Sequence, residues 1–211
     1  MRIYIKLFFI CLFMMFQSSY AGDGYEGKYE LLTTPQTTNA PAGKIEVVEL
    51  FWYTCPHCYQ FDKKHLKNWK KNKPEYVHFV HMPAVFGNND RRIPLAKAYY
   101  VAEALQILDK INTPLFKAIH DDKHDLNSKE ALQRMFSKYG VDEKDFSKTY
   151  DSFWVETQIK RAKAMTAGYE IQGVPAVIIN GKYRLTSEMA KGYTEMMKVL
   201  DHLIEKEHSA K

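Results

Sequence analysis

The most strongly apolar stretch that can form a strand lies in the first third of the chain, where hydrophobic residues dominate Lys44–Tyr53. A run this continuous, without regular alternation of polar and apolar positions, predicts a strand buried on both faces. A charged, amphipathic pattern follows from Pro56 to about Asn72 and predicts a helix. Glu75–Met82 predicts a second strand, closed by Pro83. Two strands joined by one helix form a βαβ unit, so we expect them to be parallel with a right-handed crossover.

The region from Asn88 to about Gly168 carries apolar residues at helical spacing, separated by short polar or glycine-containing joints. This pattern predicts four or five helices within about 80 residues, which is a small helical domain and not a loop. The apolar positions that define the spacing are Ile93, Ala96, Tyr100, Val101, Ala104, Leu108, Leu115, Phe116, Ile119, Leu132, Met135, Phe136, Phe146, Tyr150 and Phe153.

The last part of the chain returns to strand patterns. Ala176–Asn180 and Lys182–Leu185 flank the dipeptide Asn180-Gly181, which is typical of a two-residue hairpin turn. Beyond the hairpin, Thr186 or Ser187 is expected to cap a final amphipathic helix. Together with the βαβ unit, this hairpin predicts an α/β protein with a mixed sheet.

The N-terminus has the pattern of a secretory signal peptide. Arg2 and Lys6 precede the ten apolar residues Leu7–Phe16, and Ser19 and Ala21 occupy the small-residue positions of a cleavage site. We expect cleavage after Ala21. The apolar run is short for a membrane span of ~20 residues, which disfavours an uncleaved anchor.

Cleavage would leave 190 of the 211 residues and lower the net charge from +5 to +3. That length predicts one domain, or one with an insertion, able to bury roughly 70% of its unfolded surface. Cys11 would be lost, so Cys55 and Cys58 would be the only cysteines of the exported protein. A single pair in an oxidising compartment indicates a reactive group and not a structural link.

Lysines are concentrated in the helix that follows the cysteine pair. In a secreted chain without a basic, aromatic-lined surface, they are expected to form a solvated helix face, so nucleic acid is not an expected partner. The lysines concerned are Lys63, Lys64, Lys67, Lys70, Lys71 and Lys73.

The candidate chemistry lies at the junction of the first strand and its helix, in the sequence Cys55-Pro56-His57-Cys58. Pro56 suits the first helical position, because its φ is already helical and it lacks an N–H group. Cys55 therefore lies near unpaired N–H groups and the positive end of the helix dipole, which favour a thiolate. His57 can add a donor or a positive charge, and such settings lower the pKa of a cysteine. Cys58 lies one turn further, close enough for a disulfide.

An acidic Cys55 would determine the direction of the redox chemistry. Each unit by which its pKa falls below the ambient pH stabilises the reduced form by about 1.4 kcal/mol, or roughly 30 mV for a two-electron couple. A stable thiolate is also a good leaving group, so a mixed disulfide at Cys55 would resolve towards an oxidised substrate. We therefore expect a disulfide donor.

Two other interpretations of the cysteine pair are a structural disulfide and half of a zinc site. Zinc prefers four ligands, and the exported chain has no second C-x-x-C motif. His78 and His81 are three residues apart on a predicted strand, hence on opposite faces, and would make a poor ligand pair. No metal site is expected.

Glu49, six residues before Cys55, is an unusual residue for its strand. Glu49 is a carboxylate within an apolar strand, which is costly unless it is functional or paired. It is interpreted either as an outward-facing charge at a strand edge or, as we favour, as a buried proton acceptor beneath the cysteines.

Gly173-Val174-Pro175 precedes the hairpin, and a proline opening a strand is confined to an edge or a special turn. A cis Val174–Pro175 bond is compatible with this position.

Several motifs together carry a resemblance to a known family. C-P-H-C follows V-V-E-L-F and precedes Y-Q-F, and G-V-P-A and N-G-K-Y lie far downstream. In this combination the chain resembles the DsbA family of bacterial periplasmic thiol:disulfide oxidoreductases, within the thioredoxin superfamily. The resemblance spans essentially the whole exported chain. It implies a thioredoxin fold, a central mixed sheet flanked by helices, with an inserted all-helical domain.

The resemblance also implies roles for individual residues. Cys55 corresponds to the exposed nucleophile, Cys58 to its buried partner in a redox-active disulfide, and His57 to the group that stabilises the Cys55 thiolate. Pro175 corresponds to a cis-proline that faces the disulfide, and Val174 would offer backbone hydrogen bonds to an extended substrate peptide.

Glu49 corresponds to the buried acid of the family. Relatives can pair that acid with a lysine on the neighbouring strand. Here Glu75–Met82 contains no lysine, only His78 and His81. The route by which protons would reach the cysteines therefore departs from the family pattern.

The organisation and the partners of the chain are also implied by the resemblance. Residues 1–21 would be the signal peptide, 22–87 with 169–211 the thioredoxin-like domain, and 88–168 the helical insertion. The substrates would be unfolded or partly folded exported polypeptides with free cysteines, met in the periplasm. Reoxidation would come from a quinone-linked inner-membrane protein of the DsbB type. No cofactor is implied.

Two competing functions would use the same sequence features differently. A reductase or isomerase would use the same motif, but isomerases of the superfamily usually carry a dimerisation domain, for which the segment before Lys44 is too short. A binding module, such as a chaperone or an adhesin-like protein, would use a hydrophobic groove and leave the cysteines incidental. Replacement of Cys55 by serine would distinguish the binding module from a disulfide donor.

Overall fold

A computed structural model describes residues 24–87 and 91–210 of the chain. The predicted signal peptide, its cleavage site after Ala21 and Cys11 lie outside the described residues. Within the described ranges, no helix is both long enough and apolar enough to cross a membrane.

Five strands of the described chain form one mixed sheet, in the order β1-β5-β4-β2-β3. The strands are β1 (Glu30–Leu31), β2 (Ile45–Phe51), β3 (Val77–Pro83), β4 (Ala176–Ile179) and β5 (Tyr183–Thr186). The central strand β2 has all seven residues buried, which confirms the prediction of a strand covered on both faces. β2 and β3 are parallel, as the βαβ pattern predicts, whereas the other pairs are antiparallel.

The register between β2 and β3 places Glu49 opposite His81 and Leu50 opposite Met82. Successive side chains of a strand point to opposite faces, so side chains at paired positions share a face. Glu49 and His81 are therefore neighbours on one face of the sheet. This pairing depends on the register, which the sequence pattern alone does not specify.

The helix predicted from Pro56 to Asn72 is present, with an irregular centre. It consists of α1 (Pro56–Phe61), a π-helical turn at Asp62–Leu66 and α2 (Lys67–Asn72). Pro56 occupies its first turn, as expected for a residue with a helical φ and no N–H group. Asp62 is buried in the π-helical turn and contacts Lys70 Nζ at 3.0 Å. The helix thus carries the active-site loop at its start.

Five helices of the described chain occupy the region for which four or five were predicted. They are α3 (Ile93–Ala104), α4 (Leu108–His120), α5 (Lys129–Ser137), α6 (Glu143–Tyr150) and α7 (Phe153–Gly168). Ser128, Asp142 and Ser152 precede α5, α6 and α7, and each side chain accepts a hydrogen bond from the N–H group three residues later. Such caps satisfy donors that a helix start leaves unpaired.

The hairpin between β4 and β5 forms at the predicted dipeptide. Asn180 and Gly181 have φ values of 50° and 65°, and Lys182 N donates to Ile179 O at 3.0 Å. Both central residues of a type I′ turn need a positive φ, which asparagine and glycine tolerate best. The prediction of this hairpin is confirmed.

The predicted start of the last helix is wrong. α8 spans Tyr193–Ser209, whereas capping was expected at Thr186 or Ser187. Thr186 ends β5 instead, and its Oγ1 accepts a hydrogen bond from Met189 N at 3.3 Å. Lys191 and Gly192 then adopt φ values of 58° and 131°, a backbone that cannot belong to a right-handed helix. The helix therefore begins only after Gly192.

Two apolar clusters pack against the sheet. Val48 and Leu50 belong to the cluster that reaches α3–α7, whereas Ile45 and Val47 belong to the cluster formed with α8. This assignment follows the alternation of side chains along β2. The first cluster is continuous from the sheet into the helical region, so the helices are held against the end of β2 from which the active-site loop emerges.

Candidate active site

Cys55 lies between the end of β2 and the first turn of α1. Its backbone is extended (φ −86°, ψ 116°), and it occupies the capping position directly before Pro56. Cys55 N donates to Trp52 O at 3.1 Å, and Cys55 O accepts from Tyr59 N at 3.1 Å. Cys55 is partly exposed and Cys58 is completely buried, and both sulfurs are free thiols in this structure. One sulfur of the pair can thus meet a substrate and the other cannot.

The pKa of Cys55 is lowered to about 6, from an ordinary value of 9.0. The largest cause is the hydrogen bond from the Cys58 thiol, which outweighs the opposing effect of partial burial. The backbone N–H groups of Cys58 and His57 also favour the thiolate, although neither makes a full capping hydrogen bond to it. The charge of the His57 side chain contributes least of these causes. The Cys58 thiol, and after it the N–H groups of the helix start, make this cysteine acidic more than the imidazole does.

The pKa of Cys58 is raised well above its ordinary value. Burial is the main cause, followed by the hydrogen bond and the charge of Cys55 and then by the charge of Glu49. The two sulfurs therefore differ strongly: Cys55 is stable as a thiolate and Cys58 as a thiol. Such unequal neighbours suit a disulfide that is opened by attack at the exposed sulfur.

The loop before β4 reaches the same point from the far end of the sequence. The Val174–Pro175 peptide bond is cis, and the carbonyl oxygen of Val174 lies 3.5 Å from Cys55 Sγ. Pro175 is buried at the entry to β4. The fold thus brings these two residues beside Cys55, although the sequence separates Val174 from it by 119 positions.

A surface cavity of about 860 Å³ opens beside this loop. Its lining combines apolar side chains with charged groups. Three parts of the chain line this cavity: the C-x-x-C motif, the cis-proline loop and the segment that leads into α8. Their lining residues include His57, Ile171, Val174, Pro175, Met189 and Tyr193.

Glu49 lies beneath the cysteines in β2, and its side chain is only 1% exposed. Its Oε2 is 2.8 Å from Nε2 of His81 on β3. The two atoms are not aligned for a conventional hydrogen bond, and within the described residues neither has another hydrogen-bond partner. The structure therefore supports the buried interpretation of Glu49 and not an outward-facing charge.

The site contains two residues to which sequence reasoning gave no role. The Tyr193 hydroxyl lies 3.5 Å from the carbonyl oxygen of His57, at the limit of a hydrogen bond, and its ring stacks on Phe61. The sequence indicated only an apolar helix face for Tyr193. The sequence shows His81 only as one of two histidines on a strand that contains no lysine. Its contact with Glu49 becomes visible only once the register of the two strands is known. Paired residues of two parallel strands are separated by a constant number of positions, so an alignment of the two strands from one known pair could have identified His81 as the neighbour of Glu49.

The family model of the DSBA-like thioredoxin domain matches residues 46–204, a range that contains both cysteines and Pro175. The chain belongs to the DsbA-like thioredoxin family. Its relatives in this family include the thiol:disulfide interchange protein DsbA of Azotobacter vinelandii, 41% identical over 173 residues, which cover 81% of this chain and 78% of the relative.

Solved DsbA structures give the same result in three dimensions. The crystal structure of Pseudomonas aeruginosa DsbA superposes with a TM-score of 0.81 at 38% identity, covering 87% of this chain and 94% of that one. A structure of Proteus mirabilis DsbA with the non-covalently bound peptide PWATCDS superposes with a TM-score of 0.72 at 26% identity, covering 90% and 100%. The predicted DsbA-type thioredoxin fold is confirmed.

Membership of the DsbA family also confirms the predicted activity. The chain is a thiol:disulfide oxidoreductase that acts on substrate proteins by thiol–disulfide exchange. The geometry of the cysteine pair shows how the chain can perform this exchange, because one acidic sulfur is accessible and its buried partner lies within hydrogen-bond reach.

Proposed function

We propose that this DsbA-family oxidoreductase donates its Cys55–Cys58 disulfide to newly exported polypeptides that carry free cysteines. The observation that carries the proposal is the lowered pKa of Cys55, at about 6, beside a buried partner of raised pKa. A stable Cys55 thiolate favours the reduced form of the enzyme, so the disulfide is a strong oxidant. The acidity of one sulfur therefore determines the direction of electron flow, from the substrate to the enzyme.

The first step is attack by a substrate thiolate on Cys55 Sγ. The Cys55–Cys58 bond breaks, a mixed disulfide forms between the substrate and Cys55, and Cys58 leaves with the electron pair. Cys55 is the sulfur attacked because Cys58 is completely buried. Burial favours the thiol form of Cys58, so the departing sulfur takes up one proton.

The second step releases the oxidised substrate. A second substrate thiolate attacks the substrate's own sulfur in the mixed disulfide, and Cys55 leaves as a thiolate. The low pKa of Cys55 makes it a good leaving group, so the exchange proceeds forwards. The substrate loses two electrons and two protons. The enzyme gains the two electrons and the proton now held by Cys58, and the other proton passes to solvent.

Val174 and Pro175 position the substrate chain in this scheme. The Val174 carbonyl group lies next to Cys55 Sγ, so an extended peptide with its cysteine at Cys55 can pair with the Val174 backbone. The adjoining cavity, with Ile171 and Met189 in its lining, receives neighbouring apolar side chains of the peptide. The peptide bound to Proteus mirabilis DsbA supports a polypeptide as the ligand of this fold.

Glu49 acts in the same scheme as a proton acceptor for Cys58. Its charge raises the pKa of Cys58, so the two groups interact through the buried interior. The Glu49 carboxylate can take the proton of the Cys58 thiol when that sulfur must ionise on reoxidation. Pro56 and His57 contribute by holding Cys55 at the helix start.

The cellular setting and organisation follow from the family resemblance. The chain would be exported by a signal peptide cleaved after Ala21, act in the periplasm, and be reoxidised by a quinone-linked inner-membrane protein of the DsbB type. Residues 22–87 with 169–211 would form the thioredoxin-like domain and residues 88–168 the helical insertion. The five helices α3–α7 support that division.

The reduction potential of the Cys55–Cys58 pair in a glutathione buffer tests the direction of electron flow. We expect a reduction potential well above that of thioredoxin, which is about −270 mV. His57→Ala should lower the potential by less than about 30 mV, which corresponds to one pKa unit, because the imidazole charge is the smallest of the causes. A wild-type value near that of thioredoxin would indicate a reductase instead. A fall much larger than one pKa unit in His57→Ala would show that the imidazole dominates.

A further inference from the structure

The end of helix α4 contacts the turn that carries Cys55. We propose that His120, the last residue of α4, is a positioning residue for this turn, and that its hydrogen bond to the Tyr53 carbonyl group helps to set how strongly the Cys55–Cys58 disulfide oxidises its substrates. The proposal rests on the disulfide donation proposed above. It gives the helices α3–α7, which contain neither cysteine, a part in the redox chemistry.

Trp52, Tyr53, Thr54 and Cys55 form a β-turn between β2 and α1. Cys55 N donates to Trp52 O at 3.1 Å, so Tyr53 and Thr54 are the two central residues of the turn. The closing hydrogen bond uses the Trp52 carbonyl group and leaves the Tyr53 carbonyl group available. The position of the central peptide group, and with it that of Cys55, can therefore be controlled from outside the turn.

His120 binds the Tyr53 carbonyl group directly. Nε2 of its ring lies 2.8 Å from Tyr53 O. A carbonyl oxygen only accepts, so Nε2 donates, which it can do both in the charged ring and in the neutral ring with its hydrogen on Nε2. The contact therefore needs no change in the charge of His120.

Two further contacts connect the same turn to the helical region. The Tyr53 hydroxyl group donates to Asn112 Oδ1 of α4 at 2.7 Å, and Tyr53 is buried. The guanidinium group of Arg92, directly before α3, lies 3.7 Å from the centre of the Trp52 ring. Side chains from α4 and from the start of α3 thus hold two consecutive residues of the turn.

The ring of His120 is itself held by the active-site helix. It lies almost parallel to the ring of Tyr59, with centroids 5.1 Å apart and an angle of 8°. Tyr59 directly follows Cys58, and its hydroxyl group donates to Asp121 Oδ2 at 2.8 Å. The end of α4 therefore contacts both the turn before Cys55 and the helix that carries Cys58, so it can fix the position of one cysteine relative to the other.

The turn affects the chemistry because it reaches both sulfurs. Burial is the main cause of the raised pKa of Cys58, and a hydrogen bond from the Trp52 backbone N–H group opposes it. Cys55, at the other end of the turn, has its pKa lowered first by the Cys58 thiol and then by N–H groups of the helix start. Hydrogen bonds weaken steeply when their geometry is lost. Release of the Tyr53 carbonyl group should therefore destabilise the Cys55 thiolate and make the disulfide a weaker oxidant.

Two variants with side chains of similar length separate the hydrogen bond from packing. His120→Gln can still donate an N–H group to the Tyr53 carbonyl group, whereas His120→Met cannot, and both lose the ring contact with Tyr59. We expect His120→Met to shift the equilibrium with glutathione about threefold towards the disulfide form, which corresponds to a fall of about 15 mV in the reduction potential. The midpoint of the Cys55 titration, followed by thiolate absorbance, should rise by about half a unit. His120→Gln should retain the wild-type values.

His124→Met is the matched control, because His124 is an exposed histidine four residues further along the chain and its replacement should change neither quantity. Equal potentials in His120→Gln and His120→Met would overturn the inference, because the hydrogen bond would then have no effect of its own. The wild-type potential judges disulfide donation separately. If it lies near that of thioredoxin, the proposed function fails, while the difference between the two His120 variants still decides the role of the hydrogen bond.

A measurement on the unaltered protein covers the case in which these variants do not fold. Nitrogen NMR of the ¹⁵N-labelled His120 ring shows which ring nitrogen carries the hydrogen at about pH 8.5, where an ordinary histidine is neutral. We expect the form with hydrogen on Nε2, and ring signals that differ between the oxidised and the reduced protein because the turn contacts both sulfurs. Hydrogen on Nδ1, or ring signals that coincide in the two redox states, would overturn the inference.

Discussion

Replacement of Cys55 by serine is expected to abolish disulfide donation while the fold remains intact. No disulfide can form with Cys58, and no mixed disulfide can form with a substrate, so the oxidation rate should fall by about a thousandfold or more. The side chain is partly exposed and serine is of similar size, so at pH 5, below the pKa of Cys55, the free energy of unfolding of the reduced protein should change by less than about 0.5 kcal/mol. Oxidation of a reduced substrate protein, with circular dichroism as the test of folding, measures both effects.

Cys58→Ser is the matched variant, because it leaves the attacked sulfur in place. Incubated with an oxidised substrate, its Cys55 thiolate should attack a substrate disulfide, release one substrate sulfur as a thiolate and remain as a mixed disulfide, since no internal sulfur is left to expel the substrate. If Cys55→Ser still supported the cellular task of the protein, a binding module would replace the oxidase as the better account. Loss of activity together with loss of the folded state would instead show that Cys55 is structural.

The second large effect is expected in the stability of the reduced protein. The pKa of Cys55 is about 6 in the folded state, below the ordinary value of 9.0 that this thiol regains on unfolding. Between these values the unfolded chain binds more protons, so the stability of the reduced form should rise with pH by up to about 1.4 kcal/mol per unit. The contribution is complete above about pH 9 and is lost as the pH falls through 6. Urea unfolding at pH 5.5, 7 and 8.5 measures it.

The oxidised protein provides the baseline for this comparison, because it has the same titratable groups except the two thiols. Cys58 does not disturb the window, because its raised pKa keeps it protonated in the folded state and it is also protonated in the unfolded chain below about pH 8.5. In the reduced Cys55→Ser variant, the free energy of unfolding should depend on pH no more strongly than in the oxidised protein. A difference between reduced and oxidised protein that does not change with pH would contradict the assigned acidity.

The local features of the site could be predicted from the sequence because they depend on neighbouring residues. Pro56 begins the helix at the point where the apolar run of β2 ends, so the position of Cys55 follows from backbone preferences alone. The burial of Glu49 follows from the same run, because a strand without a polar face has no exposed side. Asn180-Gly181 likewise specifies its own turn.

The features that were not predicted depend on how distant segments pack. The contact between Cys55 and Val174 joins residues 119 positions apart, and only the resemblance to a family indicated it. The pairing of Glu49 with His81 needs a strand register, which apolar strands specify weakly in sequence. The late start of α8 needs the positive φ of Lys191, a residue with no intrinsic preference for that backbone. The minor contribution of the His57 charge also became clear only from the geometry of the helix start.

The protonation of Cys55 is the property on which disulfide donation depends most directly. It can be followed in the reduced protein by the ultraviolet absorbance of the thiolate across the range from acidic to alkaline pH, with Cys55→Ser as the blank. We predict a single transition with a midpoint at about pH 6, well before Cys58 ionises. A midpoint between about 8.5 and 9, as for cysteine in an unstructured peptide, would contradict the account, because the reduced form would then have no advantage over the disulfide.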